Sequence, residues 1–189
     1  AGEIRDVLRQ ATLGLTLFSV VVFILMWLFR DGIVDLTAPG FAPEKKAMMS
    51  AVLPVLAASL LFSNLAGLWS GVLIAERRLA LAVITPAAVP FTILLAIFSG
   101  NMTADADVLA WATLCGAVIH AALTGWVVQR RGWLVGPGWP AGLWRREGQG
   151  LFQQYVILVV GSLTMAATDL VDLSMAASLN AGDPAAVSF

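Results

Sequence analysis

Cys115, His120, Asp169 and Asp172 are titratable side chains that lie within or beside long apolar runs. The two aspartates are spaced i, i+3, so a helix would place both on one face, with Thr168 one turn before Asp172. A carboxylate in or near a bilayer is costly and usually faces a wet cavity or a partner. The alternative is a helix starting near Leu151, which puts Asp172 ~30 Å along it, at the outer interface. Apolar sequence continuing to Leu179 argues for the cavity or partner. His120 is the sole histidine and shares a helical face with Ala112, Gly116 and Thr124. An imidazole titrates near neutral pH and could relay protons. With no carboxylate within four residues, a packed neutral histidine is the plainer alternative. Asp169, Asp172 and His120 are the candidate cavity or ion-coupling residues.

Enzymatic chemistry finds little support. Cys115 and His120 lie five residues apart, more than one helical turn, with no third group to orient them, a poor nucleophile–base pair. One cysteine cannot build a disulfide framework, and one histidine without companions cannot hold a metal. There is no Gly-rich phosphate loop, no H-E-x-x-H and no G-x-S-x-G. No catalytic residue, metal or cofactor is expected.

The elements that must position these residues are membrane spans. Of 189 residues, 59% are hydrophobic and 12% charged, about half the ~25% usual in soluble domains; mean hydropathy is +0.87. Net charge is −1, so nucleic acid has no electrostatic attraction to the chain. Five stretches carry no charge: Ala11–Phe29, Ala47–Ala75, Leu79–Ala104, Val108–Gln129 and Gly148–Thr168. All approach or exceed the ~20 residues that cross a ~30 Å hydrocarbon core. Continuous rather than alternating apolarity selects helices over barrel strands. The reading is therefore an all-α integral membrane protein with five transmembrane helices, the first four at about 11–36, 47–75, 79–100 and 108–129.

The connections differ in character. Arg30 to Lys46 reads as a loop built around Pro39-Gly40-Phe41-Ala42-Pro43, Glu76-Arg77-Arg78 as a tight turn, and Asn101–Asp107 as a short acidic link. Arg130–Gln149 is long and rich in Gly, Trp and Arg, the natural boundary between lobes. The expected organisation is 1–129 in one lobe, 130–149 as an inter-lobe loop, and 150–189 as the first helix of a second lobe. With five spans, the N-terminus, the 76–78 turn and the 130–149 loop share one side. That side carries eight of the 11 basic residues: Arg5, Arg9, Arg77, Arg78, Arg130, Arg131, Arg145 and Arg146. The positive-inside rule puts it, and the N-terminus, in the cytoplasm. The chain starts at Ala1 and stops in apolar sequence at Phe189, so it reads as a piece of a longer membrane protein.

Within the second span Ser59, Ser63, Gly67, Gly71 and Ala75 recur every four residues. Such a small-residue stripe predicts close helix packing, with substrate contact as the alternative. Asn64 beside it is expected to bond to a neighbouring helix. Pro54, Pro86 and Pro90 predict kinks, as found both in cavity-lining transporter helices and in membrane helices generally.

Several segments together resemble the MurJ/MviN family of lipid II flippases, in the multidrug/oligosaccharidyl-lipid/polysaccharide exporter superfamily. Leu36-Thr37-Ala38-Pro39-Gly40-Phe41 with Pro43-Glu44-Lys45 looks like the family's outward loop after its third helix, and Pro54 fits the next span. Gly71-Val72-Leu73-Ile74-Ala75, Arg77 to Leu81 and Thr85-Pro86 are similar to its fourth-to-fifth helix join. Leu114-Cys115-Gly116 with Gln129-Arg130-Arg131-Gly132 resembles the sixth helix and its basic exit. Val171-Asp172 through Ala177-Ser178, then Gly182 and Ala186-Val187-Ser188, looks like the seventh helix and the turn after it. The ordered series spans about Leu8 to Phe189.

The resemblance implies helices three to seven of about fourteen, four in an N-terminal lobe and one opening a C-terminal lobe. It implies a bacterial inner-membrane flippase moving a polyprenyl-pyrophosphate-linked cell-wall precursor by alternating access. Its partners would be a lipid-linked glycan and membrane lipids, with oligomeric state left open. The family's cavity arginines lie mainly in its first, second and eighth helices, outside this sequence. Alternatives are an exporter of another lipid-linked polysaccharide or of drugs, or a membrane scaffold or enzyme.

Overall fold

The computed structural model describes residues 2–38, 40–99 and 105–134, with side chains from Arg5 onward. Among these residues six α-helices follow in order: α1 Gly2–Leu28, α2 Arg30–Thr37, α3 Pro43–Ala75, α4 Leu79–Ile84, α5 Ala88–Ser99 and α6 Ala106–Arg130. A 3₁₀ turn, Thr85–Ala87, joins α4 to α5. No strand occurs among the described residues.

Among the described residues, four segments are long and apolar enough to cross a bilayer: Arg5–Leu28, Pro43–Ala75, Leu79–Ser99 and Ala106–Arg130. Large apolar side chains point outward along all of them, among them Leu17, Leu60, Phe98 and Trp111. In water that surface would be untenable; in lipid it is the expected exterior. Hydroxyls in the spans bond back to their own helix, as Thr12 donates to the Leu8 carbonyl (2.8 Å) and Thr113 to that of Leu109 (2.8 Å), so few polar groups meet hydrocarbon bare. The fifth expected span, with Asp169 and Asp172, lies outside the described residues.

The first two boundaries differ from expectation. α1 begins at Gly2, not near residue 11, because Arg5, Asp6 and Arg9 are tolerated in a helix that extends beyond the bilayer. It stops at Leu28, short of the expected end near 36, and a separate helix, α2, occupies Arg30–Thr37, the first part of the expected Arg30–Lys46 connection. Asp31 in the first turn of α2 complements the positive end of its dipole. α3 then begins at Pro43 rather than 47, with proline at a first-turn position that needs no N–H. Pro54 leaves α3 continuous over its 33 residues.

The chain divides into two units, one of residues 1–30 and 47–141, the other of 31–46 and 142–189. In the second unit the described residues carry an ion pair between Lys46 Nζ and Asp35 (2.7 Å), and Lys45 lies over the Phe41 ring. In the first unit, Leu8 of α1, Leu73 of α3, Ala82 of α4 and Val128 of α6 form a buried cluster, flanked by Trp69, Val72, Trp133 and Leu134.

α3 and α6 end in the same way. After α3 the amide of Arg78 donates to the Leu73 carbonyl (2.8 Å) and that of Arg77 to Ile74 (2.9 Å). After α6 the amide of Trp133 donates to Val128 (3.3 Å) and that of Gly132 to Gln129 (2.9 Å). Both are Schellman turns, which place one residue in the left-handed region. At α6 that residue is Gly132 (φ 73°), at α3 it is Arg77 (φ 59°). Glycine adopts this conformation freely; arginine does so at a cost.

Candidate functional site

The face of α6 that bears His120 is buried from Ala110 to Val128 and built largely of small residues: Ala112, Gly116, Ala117, Ala121, Thr124 and Gly125. Small side chains let neighbouring elements come close. α5 does so at Gly116: a Cβ there would sit 2.5 Å from Thr92 Oγ1 and 2.6 Å from Val89 Cα. Thr92 also donates across the interface to the Ala112 carbonyl (2.9 Å). Trp69 of α3 covers Gly125, with a ring carbon 2.6 Å from where a Cβ would be.

His120 lies on this packed face, 8% exposed. Its Nε2 is shielded from solvent and has no hydrogen-bond partner among the described residues. Its carbonyl accepts from Thr124 Oγ1 (2.8 Å). The four charge-free stretches leave no ionised side chain along the apolar length of these spans. Among the described residues His120 thus lies on a buried helix face, and the four charge-free stretches supply no carboxylate to its ring. Asp169 and Asp172, the other two candidates, lie outside the described residues. Among the described residues no three His, Cys, Asp or Glu side chains gather to hold a metal. Cys115 is exposed on α6.

The stripe on α3 is divided. Ser59 is buried and donates to the Leu56 carbonyl (2.7 Å). Ser63, Gly67 and Gly71 are exposed, and a Cβ at Gly67 or Gly71 would meet nothing within 4 Å. The buried side of α3 is instead Ala57, Ser59, Leu65, Ala66, Ser70 and Leu73. Asn64, also exposed, donates through Nδ2 to Ser19 Oγ of α1 (3.4 Å), the interhelical bond the sequence suggested. Ser63, Asn64, Gly67 and Gly71 therefore present a narrow, partly polar surface on a span whose exposed large side chains are otherwise apolar, Met48, Leu56, Leu60 and Ile74.

The close approaches at Gly116 and Gly125 were not singled out from sequence as packing positions. Their signal was present: Ala112, Gly116, His120 and Thr124 recur every four residues just as Ser59 to Ala75 do. Nothing in either spacing says which stripe another helix covers.

The geometry described so far is that of apolar spans joined by small-residue contacts, with polar groups few and spaced. The family model described as "Lipid II flippase MurJ" matches residues 3–189. No curated protein and no solved structure matches the chain.

Proposed function

The chain belongs to the lipid II flippase MurJ family, a family of multi-pass proteins of the bacterial inner membrane, and from that premise we propose that it forms helices three to seven of a two-lobed flippase. The observation that carries the reading is the family match over residues 3–189, on a chain whose described part contributes four apolar spans. In this reading, residues 1–129 belong to the N-terminal lobe, 130–149 link the lobes on the cytoplasmic side, and 150–189 open the second lobe. The precursor's headgroup crosses through a hydrated central path while its polyprenyl tail stays in lipid. Alternating access comes from rocking one lobe against the other.

Within this scheme the described part is chiefly scaffold. A pyrophosphate needs cationic partners, and the four described spans have no Lys or Arg in their charge-free cores. Those cations must come from elsewhere in the transporter. Asp169 and Asp172 are the ion-coupling candidates, on the cost of placing carboxylates at membrane depth. His120 is the weaker candidate, because it lies on a packed, buried helix face. The exposed Ser63–Asn64–Gly67–Gly71 surface supplies either a seam for a further helix or a smooth wall for the headgroup path.

The test is replacement of both aspartates by asparagine in the full-length protein, followed by measurement of precursor translocation. Loss of flipping with normal membrane insertion supports a coupling or cavity role. Wild-type flipping removes it.

A further inference from the structure

The ends of three helices are tied together by side chains that the flippase scheme does not use. The Trp133 indole N–H donates to Glu76 Oε1, across 57 residues of sequence. Arg5, in the opening turns of α1, lies over the same indole, its Cζ 6.0 Å from the ring centroid. Trp133 and Leu134 pack against the buried cluster of Leu8, Leu73, Ala82 and Val128. The two Schellman turns set this up. Glu76 is the last residue before the left-handed Arg77, and Trp133 the first after the left-handed Gly132. The turn that ends α6 thus delivers an indole to the carboxylate of the residue that follows α3.

A carboxylate is a stronger acceptor for an indole N–H than a neutral carbonyl. Glu76 Oε2 is shielded from solvent and has no partner among the described residues. The side chain is therefore held in place by its Oε1 contact, and it loses that compensation when Trp133 leaves. Three independent interactions converge on one residue: a hydrogen bond, a cation over the ring and apolar packing beneath it. That residue lies in the first turn of the Gly- and Trp-rich stretch 130–149 that separates the apolar spans.

We infer that Arg5, Glu76 and Trp133 form a cytoplasmic clasp that anchors the start of the 130–149 connection to the ends of α1 and α3. The clasp makes that connection a tether with a fixed origin, so that displacement of one lobe is passed to the other instead of being absorbed by slack in the first turn after α6. The transport part of this inference rests on reading 130–149 as the inter-lobe loop of a flippase; the anchoring part does not. Trp133, Glu76 and Arg5 are positioning residues and touch no substrate.

Hydrogen exchange on the full-length protein in lipid nanodiscs tests the anchoring. Trp133→Phe keeps a ring for Arg5 and deletes only the donor. Glu76→Ala deletes the acceptor, whereas Glu76→Gln keeps one. The amides of Arg131, Gly132 and Trp133, which bond to Val127, Gln129 and Val128, should exchange about tenfold faster in Trp133→Phe and Glu76→Ala, the order of one hydrogen bond to a charged acceptor. They should stay near the parent rate in Glu76→Gln, and amides within 112–124 should be unchanged in all three. Parent-like exchange at 131–133 in both Trp133→Phe and Glu76→Ala overturns the clasp. In parallel, precursor translocation in vesicles should fall several-fold in those two variants and recover in Glu76→Gln. Faster exchange with undiminished translocation overturns the tether role. A parent protein that moves no precursor, while the exchange pattern holds, overturns the flippase reading and leaves the anchor standing.

Discussion

Replacing Gly116 by alanine probes the tightest helix contact in the described structure. The added methyl would lie 2.6 Å from Val89 Cα and 2.5 Å from Thr92 Oγ1, with the Ala88 carbonyl at 3.2 Å. Non-bonded carbons rest ~3.5–4.0 Å apart, so the α5 backbone must retreat by about 1 Å. That retreat stretches the Thr92–Ala112 hydrogen bond, now 2.9 Å, past the range in which it counts. Overpacking of this kind costs ~1–3 kcal/mol, and an interhelical hydrogen bond in a membrane protein contributes ~0.6 kcal/mol. Alanine's better helix propensity returns up to ~1 kcal/mol. The balance is about 1.6 kcal/mol of destabilisation, or roughly a 15-fold shift in the unfolding equilibrium. Gly125→Ala is the comparison. There the three nearest atoms all belong to the Trp69 ring, which can swing aside, so the loss should be about 1 kcal/mol. Reversible unfolding of the full-length protein in bicelles, or steric trapping, measures both. A Gly116→Ala variant within about 0.5 kcal/mol of the parent, the scatter of innocuous substitutions, would refute the packing described for α5 and α6.

Other outcomes follow from the same geometry. Arg77→Gly removes a left-handed side chain (φ 59°) and should stabilise by about 0.5–1 kcal/mol, whereas Gly132→Ala at φ 73° should destabilise by about 1 kcal/mol; both read out as opposite changes in thermal midpoint. Gly67→Ala and Gly71→Ala meet no described atom within 4 Å and should change stability by less than about 0.5 kcal/mol; a loss above about 2 kcal/mol would mean that another part of the molecule closes over the stripe. A single cysteine at Phe41 should react with an impermeant thiol reagent from outside intact cells, after Cys115 is replaced by alanine, while one at Arg78 should not; the reverse pattern would invert the topology derived from arginine placement.

How far the sequence could be read depended on the scale of the interaction. The spans were legible because a helix of ~20 residues in lipid must exclude charge throughout, and the runs at 47–75 and 108–129 do so. Helix ends were less legible, since membrane apolarity and helicity end for different reasons. Arg5 and Asp6 stop the first but not the second, and Pro39-Gly40 drew attention away from the eight-residue helix before it. Pro86 did coincide with an interruption, the 3₁₀ turn at Thr85–Ala87, whereas α3 runs through Pro54 unbroken. The site was the least legible part. Equal spacing on α3 and α6 hid the difference between an open stripe and a packed one. The pairing of Glu76 with Trp133 leaves no local signal at all, because two turns 57 residues apart meet only once the helices are assembled.

The central claim is that this chain is part of a transporter for a polyprenyl-pyrophosphate-linked cell-wall precursor. Reconstitution of the full-length protein into sealed vesicles bearing fluorescent lipid II in the inner leaflet tests it directly. Protein-dependent appearance of the headgroup at the outer surface is expected, well above the rate in protein-free vesicles. Movement no faster than in empty vesicles, from a protein shown to be folded and inserted, would contradict it.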